Sequence, residues 1–179
     1  MAVIKILGIG NLVRRDEGVG IHLLRLLEDT LSSEGPLASQ IELIDGGTMG
    51  FPLLSIIETA GKLLILDAVE TGRPPGEIAV WHGEQVPYFF ATKMSVHQVS
   101  FADILTIAKF NNAYPADIAV VGIQPHTLDW GTELSDEVSA VLPQAVERVM
   151  EILGQWLREP SEASGEGAIR RVSNCYEPT

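Results

Sequence analysis

The sequence predicts an α/β chain folded as a three-layer α/β/α sandwich around a mostly parallel five-stranded sheet with strand four antiparallel, and three observations lead there. Short apolar runs alternate with segments of helical spacing. Two βα units follow one another at the start of the chain, which implies a parallel sheet. The connection at 70–75, with Gly72, Pro74 and Pro75, is shorter than the dozen-residue crossover that a parallel neighbour requires.

Residues 3–9 are a β-rich apolar run closed by Gly8 and Gly10, a first strand. Val19, Leu23, Leu26, Leu27 and Leu31 then recur at helical spacing over 18–31. A second strand near 40–45, a turn at Gly46 and Gly47, a short helix near 51–59 and a buried strand at 62–69 repeat the pattern. Strand four lies near 76–82 and runs antiparallel to strand three. A loop through Phe89 and Phe90 leads to a helix near 96–110, strand five at 117–123 and a long helix from about 135 to 157. Residues 1–158 form one catalytic domain on this reading. Residues 159–179, rich in Ser, Glu, Gly and Pro with almost nothing to bury, are expected to be a flexible tail.

The length of 179 residues suits one domain, which buries roughly 70% of the surface of its unfolded chain. Cys175 is the single cysteine, so no internal disulfide or thiolate cluster can form, and a reducing, cytoplasmic setting is expected. The opening MAVIKILGIG reads as a strand and not a signal, and no uncharged run approaches the roughly 18 residues of a membrane span. Acidic residues outnumber basic ones 24 to 12, a net charge of −12, so the averaged field repels nucleic acid.

In open parallel sheets ligands bind beyond the carboxyl ends of the strands. Glu17 lies in the loop leaving strand one, Asp67 ends strand three and His97 begins the helix leading to strand five, so all three converge on that edge. Ser95 and Gln98 make a capping-box pattern that places His97 in a first helical turn, where the helix dipole disfavours imidazolium. A neutral histidine beside two carboxylates suits a divalent cation, although a histidine that only caps a turn fits the pattern too. Asp67 closes the apolar run KLLILD, where a buried carboxylate requires a cation or a donor. Asp16 and Glu17 open the first helix, where acids complement the macrodipole; one is expected to cap and one to project. They also oppose a bound phosphate at that helix end.

Other chemistries find no support. GIGNLV has Val13 where a dinucleotide fingerprint has its third glycine. There is no H-E-x-x-H helix and no G-x-S-x-G elbow, and Cys175 is poorly placed for a nucleophile.

Five segments then occur in order: GIGNLVRRDEGVG at 8–20, DGGT at 45–48, LILDAV at 64–69, MSVHQ at 94–98 and GIQP at 122–125. This set resembles the nickel-iron hydrogenase maturation endopeptidases over residues 3 to about 150. The resemblance implies a phosphorylase/hydrolase-like sheet of order 2-1-3-5-4 with the 70–75 linker spanning strand five. It implies that Glu17, Asp67 and His97 bind a metal and form the catalytic set. It also implies removal of a C-terminal extension from the hydrogenase large-subunit precursor after nickel insertion, the nickel being carried by the substrate, with no nucleotide cofactor. Gly46, Gly47 and Thr48 would engage that precursor, although a tight turn with a local Thr48 hydrogen bond explains them equally.

Phe89, Phe90 and Met94 are read either as an apolar docking surface or as a loop folded onto the core, and the loop from His126 to Glu133 as a modulator of precursor choice. His22, His82 and His126 are read as structural or solvated. Two alternatives stand beside the protease: a non-catalytic nickel- and precursor-binding chaperone, and a nucleotide- or nucleoside-acting enzyme.

Overall fold

A computed structural model describes residues 3–32, 39–92 and 100–158. Strands β1 (Ile4–Ile9), β2 (Ile41–Gly47), β3 (Lys62–Ala68), β4 (Ile78–His82) and β5 (Asp117–Ile123) form one sheet in the order β2-β1-β3-β5-β4. β1 pairs parallel with β2 and β3, β3 pairs parallel with β5, and β4 pairs antiparallel with β5. A 3-10 turn at Arg15–Gly18 leads into α1 (Val19–Ser32). The other helices are α2 (Leu53–Glu58), α3 (Gln85–Thr92), α4 (Phe101–Phe110) and α5 (Asp136–Arg158). The expected three-layer class and strand order are therefore those observed.

The central strands read as continuous apolar runs because both faces are covered. On one face Ile4, Ile6, Leu64, Leu66, Ala119 and Val121 pack against Leu23 and Leu27 of α1 and Val149 and Leu153 of α5. On the other, Leu7, Leu63, Ile65 and Val120 meet Leu53 and Ile57 of α2 and Ile104 and Leu105 of α4. Truncating any one of the buried leucines to alanine removes about 2–5 kcal/mol.

The 70–75 linker crosses the carboxyl end of β5, and Gln124 holds it there. The Gln124 side-chain oxygen accepts from the Thr71 backbone N–H at 2.7 Å and from its hydroxyl at 3.0 Å. The backbone N–H of Gly76 donates to the Gln124 carbonyl at 2.8 Å, and that of Gln124 to Glu77 at 2.9 Å. The Gln of GIQP thus fixes where the inverted strand begins.

At the opposite, amino edge, two buried lysines stabilise the strand starts. Lys62 Nζ lies 2.9 Å from Asp117 Oδ2 and donates to the Trp156 carbonyl at 3.2 Å, near the end of α5. Lys5 Nζ donates to Thr59 Oγ1 at 2.7 Å.

The expected loop through Phe89 and Phe90 is helical instead, since both lie within α3. Phe90 is buried, its ring centroid 4.6 Å from that of Phe101, so it belongs to the core and not to a docking surface. The helix expected from 96 begins at Phe101, because Ser100 and Asp103 form a complete capping box. Ser100 Oγ accepts from the Asp103 N–H at 3.2 Å while the Asp103 carboxylate accepts from the Ser100 N–H at 2.9 Å. The box anticipated at Ser95 and Gln98, together with Met94 and His97, lies outside the described residues, as does the tail at 159–179.

Candidate functional site at the carboxyl edge

The loop after β1 is drawn down onto the strand ends by backbone contact. A Cβ on Gly20, the second residue of α1, would stand 2.2 Å from the Leu66 carbonyl oxygen and 2.4 Å from that of Ile9. A Cβ on Gly10, at φ +147°, would stand 2.0 Å from the Glu17 carbonyl oxygen. Side chains at these positions would force the 3-10 turn off β3; with glycine, Glu17 is delivered to the same edge as Asp67, whose neighbour Leu66 touches Gly20. The glycines of GIGNLVRRDEGVG therefore close the loop upon its own carbonyls. Asp67 shares strand parity with Leu63 and Ile65, which places it on the α2/α4 side of the sheet. It is half-buried and paired with Gly122 in the strand register.

Glu17 is the more accessible acid, its side chain 36% exposed. Its Oε2 is nevertheless buried and accepts no hydrogen bond among the described residues. Arg14 Nε stands 3.3 Å away, but the directed bonds of that guanidinium, from Nε at 3.0 Å and Nη2 at 2.8 Å, go to the Leu128 carbonyl. Glu17 thus has a nearby positive charge and one oxygen whose acceptor capacity the described residues leave unused.

Asp16 behaves differently from the expectation that an acid here serves the dipole of α1. It is fully buried, and its carboxylate accepts from the backbone N–H groups of His126, Thr127 and Ser135 at 2.9, 3.0 and 2.7 Å and from the Ser135 hydroxyl at 2.8 Å. Burial pushes its pKa up, but the bonds from Ser135, Thr127 and His126 outweigh burial and hold it below the usual carboxylate value. It therefore fastens the first loop to the loop after β5. Backbone bonds from Arg15 to Gly131 at 2.9 Å, from Gly131 to Val13 at 3.0 Å and from Asp16 to Thr127 at 3.3 Å complete the lacing.

The DGGT segment forms a β-bulge, since Gly8 pairs with Asp45 and Ile9 with Gly47, leaving Gly46 unmatched. The Gly47 carbonyl accepts from the Gly10 N–H at 2.9 Å, joining this turn to the first loop, and Thr48 is exposed. Around the edge, Val13, Met49, Phe51 and Trp130 also stand exposed.

His126 pairs with Glu137 through Nδ1 and Oε1 at 2.7 Å, a link between the 126–133 loop and the first turn of α5. The hydrogen bond to Glu137 and its charge raise the His126 pKa above 6.5, and the reciprocal bond lowers that of Glu137. Burial, with Arg25 nearby, depresses His22. Sequence reasoning did not find the roles of Arg14, Ser135 or Gln124, because each depends on a contact between distant loops. Only the adjacent acids Asp16 and Glu17 hinted that the two had different tasks.

The layer order and the inverted fourth strand define an open α/β fold that carries Glu17 and Asp67 at its carboxyl edge. Residues 21–152 match the family model for "Hydrogenase maturation protease", a segment that opens just beyond Glu17. The chain is 36% identical to the hydrogenase expression/formation protein HoxM of Cupriavidus necator over 162 residues, covering 89% of this chain and 78% of that protein. It is 32% identical to the hydrogenase 2 maturation protease of Escherichia coli, covering 84% and 90%. The solved structure of the hydrogenase maturating endopeptidase HybD from E. coli superposes with a TM-score of 0.76 at 30% identity, covering 86% of this chain and 93% of that one. The chain belongs to the hydrogenase maturation protease family, and it is a peptide-bond hydrolase of that family.

Proposed function

We propose that this endopeptidase removes the C-terminal extension of a nickel-iron hydrogenase large-subunit precursor once nickel has been inserted, and that Glu17, Asp67 and His97 engage the nickel which the precursor carries. The observation that carries this reading is Glu17 Oε2, which is ion-paired with Arg14 but has no hydrogen-bond donor among the described residues, at the edge where β3 brings Asp67. Carboxylates and a neutral imidazole suit a borderline divalent ion. Substrate-borne nickel would supply Lewis acidity toward the scissile carbonyl or a bound water. The chain's own residues hold the precursor: Glu17 and Asp67 offer negative charge, and the Gly46, Gly47 and Thr48 bulge lies along the approach. Hydrolysis then adds water across the peptide bond and leaves a new carboxyl terminus on the subunit.

The nucleotide reading is disfavoured by the first loop, where the space that glycines would lend to a phosphate is filled by the Glu17, Ile9 and Leu66 carbonyls. No helix among the described residues is long and apolar enough to cross a membrane. Cytoplasmic action fits that observation and the single cysteine.

The test is mass spectrometry of a nickel-loaded precursor and a nickel-free control, each incubated with the enzyme. Loss of a C-terminal peptide from the loaded form alone is expected. Equal cleavage of both forms would reject nickel as the recognition element, and cleavage of neither, with a cognate precursor, would favour the binding-chaperone alternative.

A further inference from the structure

Arg14 is unusual in being close to the candidate ligand Glu17 without being hydrogen-bonded to it. Its donors are fixed on the Leu128 carbonyl, and its Cζ lies 6.0 Å from the ring centroid of Trp130, which is 80% exposed. The guanidinium is therefore hydrogen-bonded to the 126–131 loop and only ion-paired, Nε to Oε2 at 3.3 Å, with the carboxylate whose charge it offsets. A cation arriving at Glu17 would meet a positive charge that the Leu128 carbonyl keeps in place.

On the reading that Glu17 takes nickel, we propose that Arg14 is a specificity-determining positioning residue, an electrostatic filter that weakens the site for free divalent cations so that nickel is engaged only when the precursor adds its own contacts. Arginine suits this role because it stays protonated and its planar fork can be locked onto one carbonyl. Removing a unit charge a few ångströms from the ion is expected to tighten free-cation binding by about tenfold at low ionic strength.

The experiment is calorimetric titration of the full chain with nickel(II) chloride, comparing wild type, Arg14→Gln, Arg14→Lys, Glu17→Gln and the Arg14→Gln/Glu17→Gln pair, with circular dichroism confirming each fold. Arg14→Gln should tighten nickel about tenfold, and added salt should shrink the gain. Arg14→Lys, which keeps the charge, should bind as wild type does. If wild type gives no measurable heat, binding gained by Arg14→Gln supports the filter and its continued absence overturns it. Unchanged or weaker binding by Arg14→Gln, or equal tightening by the Lys and Gln variants, would also overturn it, the latter by pointing to the loop tether and not the charge. The pair separates the two readings. If Glu17→Gln leaves nickel affinity intact, the assignment of Glu17 fails; if it weakens binding while Arg14→Gln brings no gain, only the filter fails.

Discussion

The Asp16 carboxylate receives both the backbone N–H and the hydroxyl of Ser135, at 2.7 and 2.8 Å, across 119 positions of sequence. Ser135 immediately precedes α5 and its carbonyl accepts from the Ser139 N–H at 2.8 Å, so one buried acid joins the first loop to the start of the last helix.

Asp16→Asn should cost about 2–4 kcal/mol, since the buried N–H groups of His126, Thr127 and Ser135 would lose a charged acceptor. The folded pKa is depressed, so the contribution is present above the ordinary value of 3.8 and is lost as pH falls through the lower folded value. Urea denaturation at a series of pH values checks both points. The variant should lose stability at neutral pH and show a shallower acid limb than wild type.

Gly20→Ala should destabilise by about 3 kcal/mol, the upper range for overpacking, because its Cβ would collide with two backbone oxygens and not with a side chain that can turn away. A fall in Tm of about 10 °C follows for a domain of this size. Gly50→Ala, with no atom within 4 Å of its Cβ, is the control and should stay within about 0.5 kcal/mol of wild type.

His126 should titrate above 6.5 by NMR, and Glu137→Gln should bring it back toward that value. A raised histidine pKa means that the pair's contribution is complete below about 6.5 and is lost as pH rises through the folded value. An unshifted His126 in wild type would show that the pair does not persist in solution.

Glu17→Gln and His97→Ala should each lower precursor processing by roughly a hundredfold or more while leaving thermal unfolding close to wild type, the scale of one preorganised group at a reaction centre. Glu17 lies outside the buried core. Processing at wild-type rates by either variant would remove that residue from the site.

The sheet was legible because its signals are local. KLLILDAV reads as a strand buried on both faces, and the short 70–75 connection left no room for a parallel crossover, so strand four runs opposite to strand three. What placed β5 between β3 and β4 was the family resemblance, since the contact that accompanies this order, Gln124 with the linker, is long-range. Phe89 and Phe90 were read as a loop, whereas both lie in α3, and the packing of Phe90 against Phe101 is a contact between separate segments that no local pattern shows. At the site, spacing indicated Glu17 and Asp67 as edge residues. It could not divide the labour between Asp16 and Glu17, because burial under a distant loop decides it.

Lys62, at the amino edge, holds the last turn of α5 through the Trp156 carbonyl. Since α5 starts beside Asp16 at the carboxyl edge and its 23 residues extend about 34 Å, Arg158 lies at the pole opposite that edge. A fluorophore or surface linkage made at the exposed end of α5 would hold the protein by its amino edge and leave the carboxyl edge, with Glu17 and Asp67, facing outward.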